Sequence, residues 1–148
     1  MPRASVKRLI ECNKNQLIDL VLDIEKYPTF VPYCIDAKIH EKKDIGNFIH
    51  IIADLTIGKG PFKDTYKSDV IFNKKNNSIY VTNINGPLKH LDNNWTFEDH
   101  KDGTEIYFNV DFEIKNKFLN ILMMTSFQYG LDKIADAFQN RANQLFKC

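Results

Sequence analysis

From residue 35 to about residue 115 the chain alternates apolar and polar side chains with period two, and this limits the possible folds more than any other feature. Ile49, Ile51, Ala53, Leu55 and Ile57 fall on one face of one run. In the next, Phe62, Asp64, Tyr66, Ser68, Val70 and Phe72 oppose Lys63, Thr65, Lys67 and Asp69. Leu91, Asn93, Trp95 and Phe97 share a face, as do Ile106, Phe108, Val110, Phe112 and Ile114. Successive strand side chains point to opposite sides, so charge on one face and apolar groups on the other mark an antiparallel sheet covered on one side. Turn-forming residues separate the runs at Asp44-Ile45-Gly46-Asn47, Lys74-Lys75-Asn76-Asn77, Gly86-Pro87 and Lys101-Asp102-Gly103.

What covers the sheet comes from the ends of the chain. Residues 116–146 read as one helix, with Met123, Phe127, Leu131, Ile134, Phe138, Ala142 and Leu145 in a stripe at helical spacing. At 1.5 Å per residue it is about 45 Å long, enough to cross a curved sheet diagonally. Before the strands, residues 5–12 read as a first strand and 14–24 as a helix. Asn13 is placed to cap that helix, and Leu17, Leu20, Val21 and Ile24 lie on one side. The segment Tyr27-Pro28-Thr29-Phe30-Val31-Pro32-Tyr33-Cys34 carries two prolines, which exclude a long helix and predict a short helical piece with a turn. The expected architecture is α+β: about six strands after an initial strand and two helical pieces, wrapped around a long terminal helix.

With 148 residues the chain fits one domain, 1–148, and buries roughly two-thirds of its unfolded surface. A formal net charge of +1 gives no general pull toward DNA or anionic surfaces. The N-terminal residues lack the apolar core of a secretory signal, and no apolar run approaches the ~20 residues of a transmembrane helix. Cys12, Cys34 and Cys148 are odd in number and show no CxxC spacing, which predicts reduced thiols and a cytoplasmic setting. The 11 Phe and 6 Tyr can fill or line a large apolar interior.

Catalytic patterns are weak. His40, His50, His90 and His100 have no paired metal-ligand spacing and read as surface residues. Gly58-Lys59-Gly60 lacks the GK[ST] ending of a phosphate loop and reads as a bulge or strand corner. No serine lies in GxSxG, and no nucleophile is paired with a base. More informative are the polar residues Asp64, Ser68 and Asn93 on the inward face. They either bond one another or a buried water, or line a cavity and offer hydrogen bonds to a ligand's polar head. At the start of the last helix, Phe118, Leu119, Ile121, Leu122, Met123 and Met124 are apolar nearly all round. A covering loop or a pocket mouth that touches a membrane would account for them.

Several separated motifs resemble, over nearly the full chain, the coenzyme Q-binding START-domain family, which includes the bacterial RatA proteins. They are Met1-Pro2-Arg3 with Ser5-Val6; Tyr27-Pro28, Phe30, Pro32 and Cys34; Ala53-Asp54-Leu55 with Ile57-Gly58; and Tyr66 with Ser68 and Val70. Then come Gly86-Pro87-Leu88-Lys89-His90-Leu91 running into Asn93, Trp95 and Phe97; Val110-Asp111-Phe112-Glu113; and Ala137-Phe138 with Arg141-Ala142. One departure is Lys59-Gly60-Pro61, where such proteins usually carry an aromatic after the glycine.

The resemblance implies a helix-grip (START-like) fold, with an apolar tunnel between sheet and helix that binds ubiquinone or a similar isoprenoid lipid in support of respiration. It implies a bound lipid, while the residue patterns above predict no cofactor, metal or catalytic set. Residues expected at the ligand are Phe30, Tyr33, Leu55, Asp64, Tyr66, Ser68, Asn93, Trp95, Phe97, Phe108, Phe112, Met123, Phe127 and Leu131. Peripheral contact with the inner membrane is compatible with that role. Two alternatives accompany it: a RatA-type toxin that acts on a ribosomal subunit, with Lys63, Lys67, Arg3, Lys7 and Arg8 as basic contacts, and a polyketide cyclase-like enzyme.

Overall fold

Seven antiparallel strands form one curved sheet in the order β1-β7-β6-β5-β4-β3-β2. Their ranges are β1 Arg3–Ile10, β2 Cys34–Ile45, β3 Phe48–Lys59, β4 Phe62–Asn73, β5 Ser78–Asn85, β6 Leu88–His100 and β7 Gly103–Ile114. Helix α1 is Lys14–Leu22, a 3₁₀ segment covers Ile24–Thr29, and α2 is Lys117–Phe146. This computed structural model describes residues 3–59, 61–86 and 88–146, apart from the side chains at 59, 62, 119 and 122–126. Expectations resting on Met1, Pro2, Gly60, Pro87, Cys148 or the side chains of Lys59, Phe62, Leu119, Leu122, Met123 and Met124 lie outside the described residues.

The period-two alternation resolves into cross-strand rows on the face toward α2. One row runs Ile49, Phe72, Ile79, Trp95, Phe108 and Val6, each paired with the next across the ladder. Above it, Phe138 of α2 meets Trp95 edge-on at 5.4 Å, Phe30 at 5.2 Å and Tyr27 at 5.5 Å between ring centroids. Trp95 stacks on Phe108 at 4.3 Å. This aromatic block is the main core, and α1 closes one end of it with Leu17, Ile18 and Val21. Helix α2 is tied to the sheet edge by Arg8, which donates to Asp136 Oδ1 at 2.6 Å and Gln139 Oε1 at 3.2 Å.

Local signals held with small shifts. Asn13 accepts from Asn15 N–H and forms a capping box with Gln16. The first strand is Arg3–Ile10 and not 5–12, because the backbone folds over Gly103 there. A Cβ on Gly103, at φ +142°, would lie 2.2 Å from the Ile10 carbonyl oxygen. Helix α1 ends at Leu22 and not at residue 24, since Asp23 leaves helical geometry at ψ 64° and a 3₁₀ turn begins at Ile24. Leu145 does not belong to the inward stripe of α2: it is 49% exposed, while Ala135 and Ala142 are buried and Phe146 packs on the core. A straight helix drifts off a fixed seam over three or more turns, which moves the last contact by one residue.

Cys12 is disulfide-bonded, against the expectation of reduced thiols, whereas Cys34 is free. Odd number and missing CxxC spacing describe only local sequence; a disulfide needs Cα atoms about 4.4–6.8 Å apart, which tertiary structure sets. The histidines lie at the surface beside aspartates, as in His40–Asp54 at 2.7 Å and His50–Asp69 at 2.5 Å. Among the described residues no His, Cys, Asp and Glu group could hold a metal ion, and no helix is long and apolar enough to cross a membrane.

Candidate functional site: a thinly filled apolar face beneath α2

Moving along the strands from the aromatic row, the inward side chains become smaller. The next row is Ile51, Val70, Val81, Asn93, Val110 and Ala4, and the one after it begins Ala53, Ser68, Asn83. Beyond these the walls rise again, with Leu55 and Tyr66 on one side and Leu91 and Phe112 on the other. The apolar residues divide accordingly into the main core and a second cluster of Leu88, Leu91 and Phe112. Val81 and Val110 of the sheet and Phe127 of α2 touch both clusters and are only half-buried. Among the described side chains, this stretch between sheet and helix thus keeps accessible apolar surface next to the closed core.

The sheet itself loosens at the same place. The β5–β6 ladder stops at Thr82 opposite Asp92, and Asn83 bridges the split by donating Nδ2 to the Leu88 carbonyl at 3.0 Å. Gly86, at φ +119°, lies against the Tyr66 backbone, where a Cβ would come within 2.7 Å of Tyr66 Cβ. Only glycine fits so close an approach at this φ, and it holds the β4 segment carrying Tyr66.

The expected ligand residues fall into distinct groups. Trp95, Phe97, Phe108 and Leu131 are buried in the main core, and half-buried Phe30 packs against it. Leu55, Tyr66, Phe112 and Phe127 surround the loosely filled stretch, with Phe112 and Phe127 edge-on at 4.6 Å. Tyr33 stands at the rim with φ 68°, its ring 3.9 Å from where a Cβ on Gly130 of α2 would lie. Asp64 shares the face by parity but is exposed near the start of β4, where its carboxylate accepts the Thr65 N–H. It lines a surface depression of about 410 Å³ with Asp36, Thr56 and Lys63, away from the inner face. The side chain of Met123 lies outside the described residues.

The inward polar groups differ in how far they are engaged. Ser68, fully buried, donates to the Ala53 carbonyl at 3.1 Å. Asn93 donates to the Asn109 carbonyl at 2.8 Å and accepts the Trp95 indole N–H at 2.8 Å. Tyr66 is different: its ring packs in the second cluster and burial holds its hydroxyl well above the usual phenol range, with Cys34 adding to the effect. That hydroxyl makes no hydrogen bond among the described residues, yet the residue keeps part of its surface accessible.

Two neighbours of Tyr66 went unnoticed in the sequence as a group. Tyr27 is also raised, by burial and then by Tyr66, and donates to the Val21 carbonyl. Cys34 is pushed up to about 11 by burial and then by Asp36. The proline-rich segment hinted at an aromatic turn, but nothing local in it points to β4.

Comparison with known proteins gives the class first. A START superfamily protein from Mycobacterium smegmatis superposes with a TM-score of 0.80 at 17% identity, covering 97% of this chain and 98% of that one. The fold is therefore the helix-grip, START-like arrangement. The chain belongs to the family described as polyketide cyclase / dehydrase and lipid transport, whose model matches residues 12–139. Relatives include the ribosome association toxin RatA of Rickettsia prowazekii, 32% identical over 95% of each chain. Another is the mitochondrial coenzyme Q-binding protein COQ10 of Dictyostelium discoideum, 30% identical over 89% of this chain and 64% of that one. The family description joins cyclases with lipid transport, so membership defines a scaffold and not a reaction.

Proposed function

We propose that the protein binds an isoprenoid quinone, ubiquinone or a close analogue, without transforming it. The carrying observation is the Tyr66 hydroxyl, which has no hydrogen-bond partner among the described residues and lies beside a half-buried apolar stretch. A quinone carbonyl accepts that hydrogen bond, and the isoprenoid tail lies between the small residues of the sheet and α2. Few polar groups against a mostly apolar lining is the usual composition of such pockets. Burial raises Tyr66, Tyr27 and Cys34 further above neutral pH, so all three carry their protons there. That favours hydrogen-bond donation over general base catalysis and weighs against a cyclase.

Trp95 is the only tryptophan and its row borders the stretch. Adding a short-chain ubiquinone analogue should quench its emission, and a saturated lipid of similar size should not. Unchanged emission at saturating quinone, with no quinone in the lipids extracted from the purified protein, would overturn the reading.

A second reading draws on the Rickettsia relative named as a ribosome association toxin. Lys63 and Lys67 sit four residues apart on the outer face of β4 and form no ion pair among the described residues. They offer contacts for RNA phosphates. Sedimentation with ribosomal subunits, lost on Lys63→Glu with Lys67→Glu, is its test.

A further inference from the structure

Helix α2 begins at the sheet end where β3, β5 and β7 finish and β4 and β6 start. There Phe118 is 68% exposed and Ile121 is 62% exposed, three residues apart on one side of the helix. Tyr129 continues that stripe and is also exposed. Two aliphatic or aromatic side chains this open, side by side, are rarely left in water without a use. Around them Lys89, Lys115 and Lys117 are exposed, and none forms an ion pair among the described residues. The nearest acid in sequence, Glu113, sits opposite His90 in the β6–β7 ladder. The first turn of α2 has no acidic residue.

We propose that this pole docks on an anionic lipid bilayer, with Phe118 and Ile121 entering the interface and Lys89, Lys115 and Lys117 on lipid headgroups. Lysines without an ion pair among the described residues, flanking an exposed apolar pair, are complementary to such a surface. Attraction of a lysine to an anionic leaflet changes affinity by roughly fivefold per residue. The docked pole carries the Leu88–Ile114 pair and Tyr66 of the loosely filled stretch. A lipid thus passes between bilayer and pocket without crossing water. That consequence, though not the docking itself, rests on the quinone reading.

The test is cosedimentation of the full chain with vesicles of phosphatidylcholine alone and with phosphatidylglycerol added. Wild type should pellet with the anionic vesicles and be released by raised salt. Phe118→Ser with Ile121→Ser, and Lys115→Glu with Lys117→Glu, should each lower that binding at least tenfold. Both variants should keep Trp95 quenching by a soluble short-chain quinone, since they alter residues outside the pocket. Wild type that stays in solution, or either variant that pellets like wild type, overturns the proposal. So does binding to ribosomal subunits that needs the lysines, ignores Phe118 and Ile121, and occurs without vesicle binding. Vesicle binding without quinone quenching would instead remove the quinone reading and leave the docking intact.

Discussion

Trp95 donates its indole N–H to Asn93, two residues back on the same strand face, at 2.8 Å. Asn93 in turn holds the Asn109 carbonyl, so one amide ties the largest core ring to the neighbouring strand. Asn93→Leu orphans the indole N–H and should cost about 1–3 kcal/mol of stability. Quinone affinity per folded molecule should stay nearly unchanged. Urea unfolding beside quinone titration checks this; a tenfold affinity loss without a stability change would make Asn93 the head-group partner.

Tyr66→Phe should do the opposite. It removes a hydroxyl with no partner among the described residues, so the unfolding midpoint should hold, while quinone binding weakens by about 0.5–1.5 kcal/mol, roughly three- to tenfold. Equal affinity in the two proteins would show that the hydroxyl does not meet the ligand.

Phe127→Ala opens the apolar stretch where Phe127 meets Phe112 and should weaken quinone binding about tenfold. Leu131 is a poorer site, because it is 3% exposed in the main core and its truncation costs about 2–5 kcal/mol of stability. Lys63→Glu with Lys67→Glu should leave both fold and quinone affinity within about 0.5 kcal/mol. If that pair alone changes respiration or ribosomal-subunit sedimentation, the ribosomal reading gains and the quinone reading falls.

Cys34, with its thiol pushed up to about 11, should resist alkylation at neutral pH and become reactive only as pH approaches that value. The sign follows from the acid being stabilised in its neutral form. The stabilisation is complete below the unfolded thiol's ordinary value and is lost as pH rises through about 11. Peptide mass mapping after iodoacetamide treatment over a pH series checks this; rapid labelling of Cys34 at pH 7 would contradict it.

The architecture was readable because a one-sided sheet writes its burial directly into alternate residues, and Leu91, Asn93, Trp95 and Phe97 all face α2 as their spacing requires. The capped start of α1 was legible for the same local reason. The pocket was less so. Sequence parity placed Asp64 beside Tyr66, but the strand reaches solvent before Asp64, and parity carries no information on where a strand leaves the core. The engagement of Ser68 and Asn93 depends on the carbonyls of Ala53 and Asn109, set by ladder register rather than by residue type. That the Tyr66 hydroxyl has no partner among the described residues is a property of what surrounds it, and no spacing announces it. The disulfide at Cys12 likewise had no signal in the local spacing of the cysteines.

The strand order has a consequence for how the molecule is made. β1 is the first strand of the described chain, yet its partner is β7, with Arg3 opposite Asp111. At about 5–20 residues per second of synthesis, β1 waits on the order of five to twenty seconds for its mate. The strand that follows it in sequence, β2, lies at the far edge of the sheet. Throughout that interval Ala4, Val6 and Ile10 have no sheet to join, so the nascent chain presents an unpaired apolar strand. Closure is a late, long-range event: slow folding and a need for chaperone cover during translation follow from this wiring.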